Sequence, residues 1–368
     1  MTTSKNSKLP RLRFKEFIGE WEEKKLGDVS FSKNSSLTSK SVTKNGNYDL
    51  YDANGIIGKT NIFYSKNIYI SIIKDGSGVG TLRMMPKFSS ITGTMNYIDT
   101  NNSNIFFIYY LMGLLNISKY KIGTGIPHIY YKDYSKTNVL VPNISEQDKI
   151  GDFFTKLDRL IELQTKRVEQ LKRLKRGYLQ KMFPQKGETV PRLRFTGFSG
   201  EWEEKKLGDL GNVIAGGDVK KNKLLNVGRY PVIANNMKNN GIVGYYNDEF
   251  KIYNSSVTIT GRGNIGFAKA RFYKFTPIVR LLVLQSEILN ATFAEKAINN
   301  INIYNESTGV PQLTAPQLKT YKIKYTSMNE QDKISKFCSN LDKKIELQEK
   351  KLSQLQDMKK GYLQKMFC

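Results

Sequence analysis

The sequence predicts an α+β protein: two mixed α/β domains related by a pseudo-twofold, joined by two long antiparallel helices that form a coiled coil. Three observations carry that expectation. The chain has 368 residues, enough for two domains of about 100–200 residues each. Two blocks of its sequence each occur twice. The second of those blocks carries, in both copies, an apolar heptad sustained over about five repeats.

The first repeated block reads PRLRFKEFIGEWEEKKLGD at residues 10–28 and PRLRFTGFSGEWEEKKLGD at residues 191–209. Sixteen of its nineteen positions are identical, and both tryptophans of the protein, Trp21 and Trp202, stand at matching places. The second block starts with EQDKI and ends with GYLQKMF. It spans residues 146–183 and 330–367, with 23 of 38 positions identical and no gap. Between the blocks, residues 31–143 and 212–327 share only a skeleton. Gly55-Ile56-Ile57-Gly58 answers Gly241-Ile242-Val243-Gly244. The glycine turn at residues 76–80 answers the one at 261–266, and Thr124-Gly125-Ile126-Pro127-His128 answers Thr308-Gly309-Val310-Pro311-Gln312. One unit of about 180 residues is thus used twice.

The order of segments follows from this. Residues 1–30 are an opening scaffold segment and 31–143 a first variable domain. Residues 144–190 hold a first long helix, and 191–211 repeat the scaffold segment. Residues 212–328 are a second variable domain, and 329–368 a second long helix. In the variable domains, Tyr69–Ile73 and Ser256–Thr260 read as strands running into glycine turns, with short helices over 105–115 and 291–299.

Ser145 and Asn329 stand where N-caps belong, with Asp148 and Asp332 three residues on. Pro184 stops the first long helix. Its seam runs Ile150, Phe154, Leu157, Ile161, Gln164, Val168, Leu171, Lys175, Tyr178 and Met182. The second seam runs from Ile334 through Cys338, Leu341, Ile345, Gln348, Leu352, Leu355, Lys359 and Tyr362 to Met366. Each helix is then roughly 55 Å long. Glutamine at matching seam positions can fix register. Lysine at 175 and 359 implies that the coil loosens near that end.

Composition excludes a good deal. His128 is the one histidine, and Cys338 and Cys368 are the two cysteines. No zinc site of the usual Cys/His type and no disulfide framework can be built from them. Few cysteines and the polar start Met1–Leu9 suit a cytoplasmic protein without a signal peptide. The longest apolar run, Ile105–Leu115, is about half a membrane span. A formal charge of +25 points to a polyanionic partner, although a Lys-, Asn- and Ile-rich composition produces a basic balance by itself.

Catalytic and cofactor motifs are weak throughout, so neither a cofactor nor a metal is expected. Gly261-x-Gly263-x-x-Gly266 spells a dinucleotide fingerprint, but no helical pattern follows it, so a turn between strands explains the glycines. Gly58-Lys59-Thr60 lacks the first glycine of a phosphate loop, which is Ala53. Glu22-Glu23-Lys24-Lys25 and Glu203-Glu204-Lys205-Lys206 set acid beside base and read as a solvated face. His128 has Gln312 as its repeat partner, which suits a contact residue better than a catalyst.

Polar and basic side chains gather around the glycine turns. The first copy offers Asn54, Lys59, Lys74, Ser77, Arg83, His128, Tyr130 and Lys132. The second offers Asn235, Asn236, Lys238, Asn239, Arg262, Asn264, Lys269, Arg271 and Gln312. Arg and Lys suit guanine, and Asn and Gln suit adenine, in the major groove. Asn and Gly are also ordinary turn formers. The first long helix adds Lys166, Arg167, Lys172, Arg173, Lys175, Arg176 and Lys181, as a solvated face or as an attraction for DNA or an acidic partner.

These pieces together resemble the specificity subunit of type I restriction–modification systems. The repeated PRLRF…GEWEEKKLGD, the repeated EQDKI…LD…IELQ, the GYLQKMF ends and the Thr-Gly-Ile/Val-Pro turns carry the resemblance over the whole chain. It implies that each variable domain is a target recognition domain reading one half of a split double-stranded DNA site. It implies that the paired helices set the unread spacer. It further implies a non-catalytic subunit that binds two modification subunits, which supply methyl transfer, and joins restriction subunits that translocate and cleave. Because the variable domains differ, the target should be asymmetric. Two other classes stay open on the residues alone: a coiled-coil scaffold that binds protein only, and a DNA-modifying enzyme with an unrecognised site.

Overall fold

The computed structural model of the chain describes residues 8–236, 238–301, 303 and 312–368. The chain divides into two compact units, Met1–Thr165 with Lys351–Cys368, and Lys166–Lys350.

In the first unit, β1 (Glu22–Lys25) and the single turn α1 (Leu26–Val29) lead into β2 (Ser30–Asn34). There follow β3 (Tyr48–Tyr51), β4 (Ile56–Thr60), β5 (Tyr69–Ile73), β6 (Leu82–Met85), β7 (Ser89–Ile91) and β8 (Met95–Thr100). The helices α2 (Ile105–Leu114) and α3 (Tyr131–Tyr134) precede β9 (Asn138–Val141). Four strands form an antiparallel sheet in the order β2-β8-β5-β6, and three form a mixed sheet in the order β4-β3-β7, with β3 and β7 parallel. Strand β1 pairs antiparallel with β9. Every residue of β5 is buried. Its alternate side chains serve two cores, because successive strand residues point to opposite faces. Ile70 and Ile72 pack with Trp21, Phe107 and Phe154, while Tyr69 and Ile73 pack with Met85, Ile91 and Tyr97. Burial on both faces is why this strand reads as a nearly continuous apolar run.

The second unit repeats the plan. After α4, the long helix Ile144–Met182, it holds β10 (Glu203–Lys206), α5 (Leu207–Leu210), β11 (Asn212–Ala215), β12 (Tyr230–Ile233) and β13 (Ile242–Tyr246). Then come β14 (Ser256–Thr260), β15 (Ala268–Arg271), β16 (Thr276–Pro277), β17 (Leu281–Gln285) and α6 (Ala291–Asn300). The run closes with α7 (Ala315–Thr320), β18 (Lys322–Tyr325) and the second long helix, α8 (Met328–Met366). The sheet orders are β11-β17-β14-β15, β13-β12-β16 and β10-β18. They match the first unit strand for strand, although the variable regions share little sequence. Trp202, Val257, Ile259, Leu282 and Phe293 occupy the equivalent core.

Helices α4 and α8 have 39 residues each, about 58 Å at 1.5 Å per residue. Each gives its two ends to different units. Within the first unit, the start of α4 runs antiparallel to the end of α8. Phe153 meets Tyr362 edge-on at 5.2 Å. Within the second, the end of α4 meets the start of α8, and Tyr178 lies edge-on to Phe337 at 5.0 Å. All twenty seam residues are buried or half-buried.

Two expectations about these helices need correction. The coil does not loosen at the seam lysines. Lys359 Nζ lies 2.5 Å from Asp158 Oδ1, and Lys175 pairs with Asp342. The lysine stems pack in the seam while the ammonium groups reach an aspartate of the facing helix. The helices also begin one residue before Ser145 and Asn329, at Ile144 and Met328. Asn143 Oδ1 caps α4 by accepting the Glu146 N–H at 3.0 Å. Asp148 and Asp332 instead bind Asn104 and Asn290.

The identical letters of the two copies form one lock, made twice. Arg13 donates from Nε and Nη2 to the two carboxylate oxygens of Glu146, both at 2.7 Å. Arg194 does the same to Glu330, both at 2.8 Å. Gln147 Oε1 accepts the backbone N–H of Asn104 (3.0 Å), and Asp148 Oδ1 accepts from Asn104 Nδ2 (2.7 Å). Asn104 is itself the N-cap of α2. Gln331 and Asp332 hold Asn290, the N-cap of α6, at 2.9 and 2.8 Å. The PRLRF arginine thus ties its own loop to the long helix, and the EQD segment ties the long helix to the short helix of each unit.

Candidate nucleic-acid interface

In the first unit the antiparallel pair β5–β6 is closed by the turn at residues 74–81. Gly76 and Gly80 take left-handed backbone angles there, φ 95° and 91°, which a side chain at these positions would disfavour. Residues 121–129 fold across this turn. The Gly76 N–H donates to the Pro127 carbonyl, and the Ile129 N–H to the Lys74 carbonyl, both at 3.0 Å. His128 and Ile122 exchange backbone hydrogen bonds at 2.8 and 2.9 Å. The His128 ring pairs with Asp75, Nδ1 to Oδ1, at 2.8 Å. The fold therefore brings Lys74, Ser77, His128 and Tyr130 together. Lys132 joins them, with Nζ 5.5 Å from the centre of the Tyr130 ring.

Asn54 is exposed at the tip of the β3–β4 hairpin, where Asp52 Oδ1 accepts the N–H groups of Asn54 (2.7 Å) and Gly55 (3.0 Å). Arg83 is spent on that tip. Its guanidinium donates to the carbonyls of Asp52 (3.1 Å) and Ala53. Lys59 stands at the open end of the same hairpin, opposite Asp49 and 3.9 Å from its carboxylate.

In the second unit the equivalent turn, between β14 and β15, is clamped by Asn235. Its Oδ1 accepts the N–H groups of Gly261 (2.8 Å) and Arg262 (3.2 Å), and its Nδ2 donates to the Arg262 carbonyl (2.8 Å). Gln312 bridges to Arg262, and the Leu313 N–H donates to the Gly261 carbonyl at 2.8 Å. Asn236, Lys238, Asn239, Asn264 and Gln312 are exposed, and Arg262 is half-buried. Asn239 and Asn240 adopt left-handed angles, φ 46° and 55°, which asparagine tolerates. Lys269 donates to Asn240 Oδ1. Burial, and then the neighbouring charge of Arg271, lower the pKa of Lys269.

Arg271 faces inward. Only 5% of it is exposed, and its guanidinium bonds Thr258 Oγ1 (3.2 Å), Tyr273 Oη (3.0 Å) and the Asn240 carbonyl (2.8 Å). Its donors serve the fold. Of the second-copy Thr-Gly-Val-Pro-Gln segment, residues 308–311 lie outside the described residues. Sequence reasoning passed over Asp75 and the three-fold bonding of Asn235. An acid immediately before the glycine turn was the available signal for the first, and nothing local marks the second.

Among the described residues no cluster of His, Cys, Asp or Glu could hold a metal ion, and no helix is long and apolar enough to cross a membrane. What the geometry offers is two loop clusters of unlike chemistry, each rooted on a glycine turn of the same scaffold.

Known proteins share this organisation. A family model described as the type I restriction modification DNA specificity domain matches the chain twice, at residues 18–173 and 199–357. A putative type I specificity subunit of Mycoplasma genitalium is 24% identical over 372 residues, covering 97% of this chain and 96% of its own. The type I restriction enzyme MjaVIII specificity subunit of Methanocaldococcus jannaschii is 22% identical over 364 residues, covering 84% of this chain and 82% of its own. Among solved structures, a type I restriction–modification S subunit from M. genitalium shares the fold with a TM-score of 0.73. That match covers 98% of this chain and 99% of that one, at 19% identity. A chain from a study of assembly in a type I system reaches 0.54 at 15% identity, covering 94% and 97%. With both copies matched and most of its length covered, the chain belongs to the family of type I restriction–modification DNA specificity subunits.

Proposed function

We propose that each variable region of this chain, residues 31–143 and 212–328, reads one half of an asymmetric, split DNA target. The paired long helices set the unread spacer and dock two modification subunits, with restriction subunits joining the complex. Methyl transfer and cleavage then reside in those partners, and the complex works on DNA in the cytoplasm. One observation supports this reading above the others. A single scaffold, locked by identical residues in both units, carries two different sets of exposed or half-buried Lys, Arg, Asn, Gln and His side chains on equivalent turns.

Such side chains are the ones that read base edges in the major groove. The set proposed for the first half-site is Asn54, Lys74, Ser77, His128, Tyr130 and Lys132. For the second it is Asn236, Lys238, Asn239, Arg262, Asn264 and Gln312. Asn235, Arg83 and Arg271 support these loops from behind. Lys59 and Lys269 are left to phosphate contacts.

Domain exchange tests the proposal. Replacing residues 31–143 by another recognition domain of the family should change one half-site and leave the other as it was. A change in both half-sites, or in neither, would overturn the modular reading.

A further inference from the structure

We infer that His128 is the specificity-determining residue of the first variable region, acting as a hydrogen-bond acceptor through Nε2, and that Asp75 is its positioning residue. This rests on the DNA-reading proposal above. The root of His128 is fixed on both sides. Its backbone pairs with Ile122, and its neighbours Pro127 and Ile129 are tied to Gly76 and Lys74. The ring is fixed as well, with Nδ1 2.8 Å from Asp75 Oδ1.

A carboxylate only accepts hydrogen bonds, so Nδ1 carries the proton in this pair. When the ring is neutral, a lone pair is then left on Nε2. The side chain is 39% exposed, and among the described residues Asp75 is the one hydrogen-bond partner of its ring nitrogens. A reader held at both root and ring loses little conformational freedom on binding.

The chemistry then names the base. In the major groove only adenine N6 and cytosine N4 present an amino group, whereas guanine offers N7 and O6, and thymine O4 and a methyl. An acceptor at Nε2 selects adenine or cytosine and rejects guanine and thymine. In the second unit the equivalent rooted position holds Gln312, bridged to Arg262. Its carboxamide both donates and accepts. The two units thus present different hydrogen-bonding chemistry from one place on the scaffold.

The test uses the full chain, purified from its host with the subunits it assembles with, on a pool of randomised duplex DNA at pH 8. Bound molecules are sequenced. The wild type should enrich adenine or cytosine at one position of one half-site. His128→Ala should abolish the base preference at that position and leave the other half-site intact. Asp75→Asn should mix acceptor- and donor-compatible bases there, because an amide can turn either face to Nδ1. Asp75→Ala should weaken the preference at that position by roughly two- to tenfold. A split motif unchanged by both His128→Ala and Asp75→Asn would overturn the role of His128, and the pair would then only pin the loop. Enrichment of guanine or thymine at the His128-dependent position would overturn the acceptor assignment. A wild-type pool with no motif at all would instead overturn the DNA-reading proposal itself.

Discussion

Arg13 and Arg194 each hold a glutamate that is almost wholly removed from solvent, Glu146 at 0% and Glu330 at 1% exposed. Each arginine also donates to a loop carbonyl, that of Gly19 at 2.5 Å and that of Gly200 at 2.6 Å. The hydrogen bonds to Glu146 hold Arg13 more firmly protonated than usual. Arg13→Ala strands a buried carboxylate and should cost about 3–5 kcal/mol of stability, read by denaturant unfolding. Arg13→Lys keeps the charge without the two-pronged geometry and should fall between. The identity of these positions in both copies was legible as repetition, and its cause was not. The sequence alone does not show that residue 13 reaches residue 146. The same limit applies to Arg271 and Asn235, both spelled like base readers. Distant contacts with Thr258 and the Gly261 turn turn them into supports.

At the scale of elements, the heptad period was legible because it repeats over the full length of both helices. The seam lysines were misread because a lysine in a seam is judged by its charge until its partner is known. Those partners form a node in each unit. In the first, Asp158 takes Lys359 at 2.5 Å and the Tyr110 hydroxyl at 2.8 Å. Burial, and then the hydrogen bond to Asp158, push the Tyr110 phenol well above its usual range. In the second, Asp342 takes Lys175 and Lys296, the latter at 2.9 Å. Tyr110 and Lys296 occupy the same position of α2 and α6. Lys296→Tyr keeps a donor for Asp342, as Tyr110 does for Asp158, and should lose less in a thermal melt than Lys296→Met. Lys296→Met, which leaves the half-buried Glu295 and Asp342 short of a donor, should lose about 1–3 kcal/mol. The ruler role proposed for the helices makes a separate prediction. Removing one heptad from each shortens the pair by about 10 Å, or about three base pairs. The spacer should shrink by that amount with both half-sites kept.

The whole molecule is one unit of about 180 residues used twice. A chain with one histidine and two cysteines suits a reader whose chemistry lies in other subunits. On the proposed function, its charge of +25 would meet DNA phosphates. The common fold of the variable regions was only partly legible. The strand β5 and the helix α2 stood out because burial leaves an apolar run, whereas β14 and α6, with Ser256, Thr258, Glu295 and Lys296 among their residues, stood out as their counterparts in the repeat. The three-stranded sheets did not, since their short, half-buried strands carry no clear period. The central claim, two different half-sites read by one chain, is tested most directly by modified-base sequencing of the host genome, with and without this gene. The account predicts a methylated motif made of two unlike half-sites separated by a fixed run of unread bases, present only with the gene. A contiguous motif, a symmetric one, or a split motif that persists after deletion would contradict it.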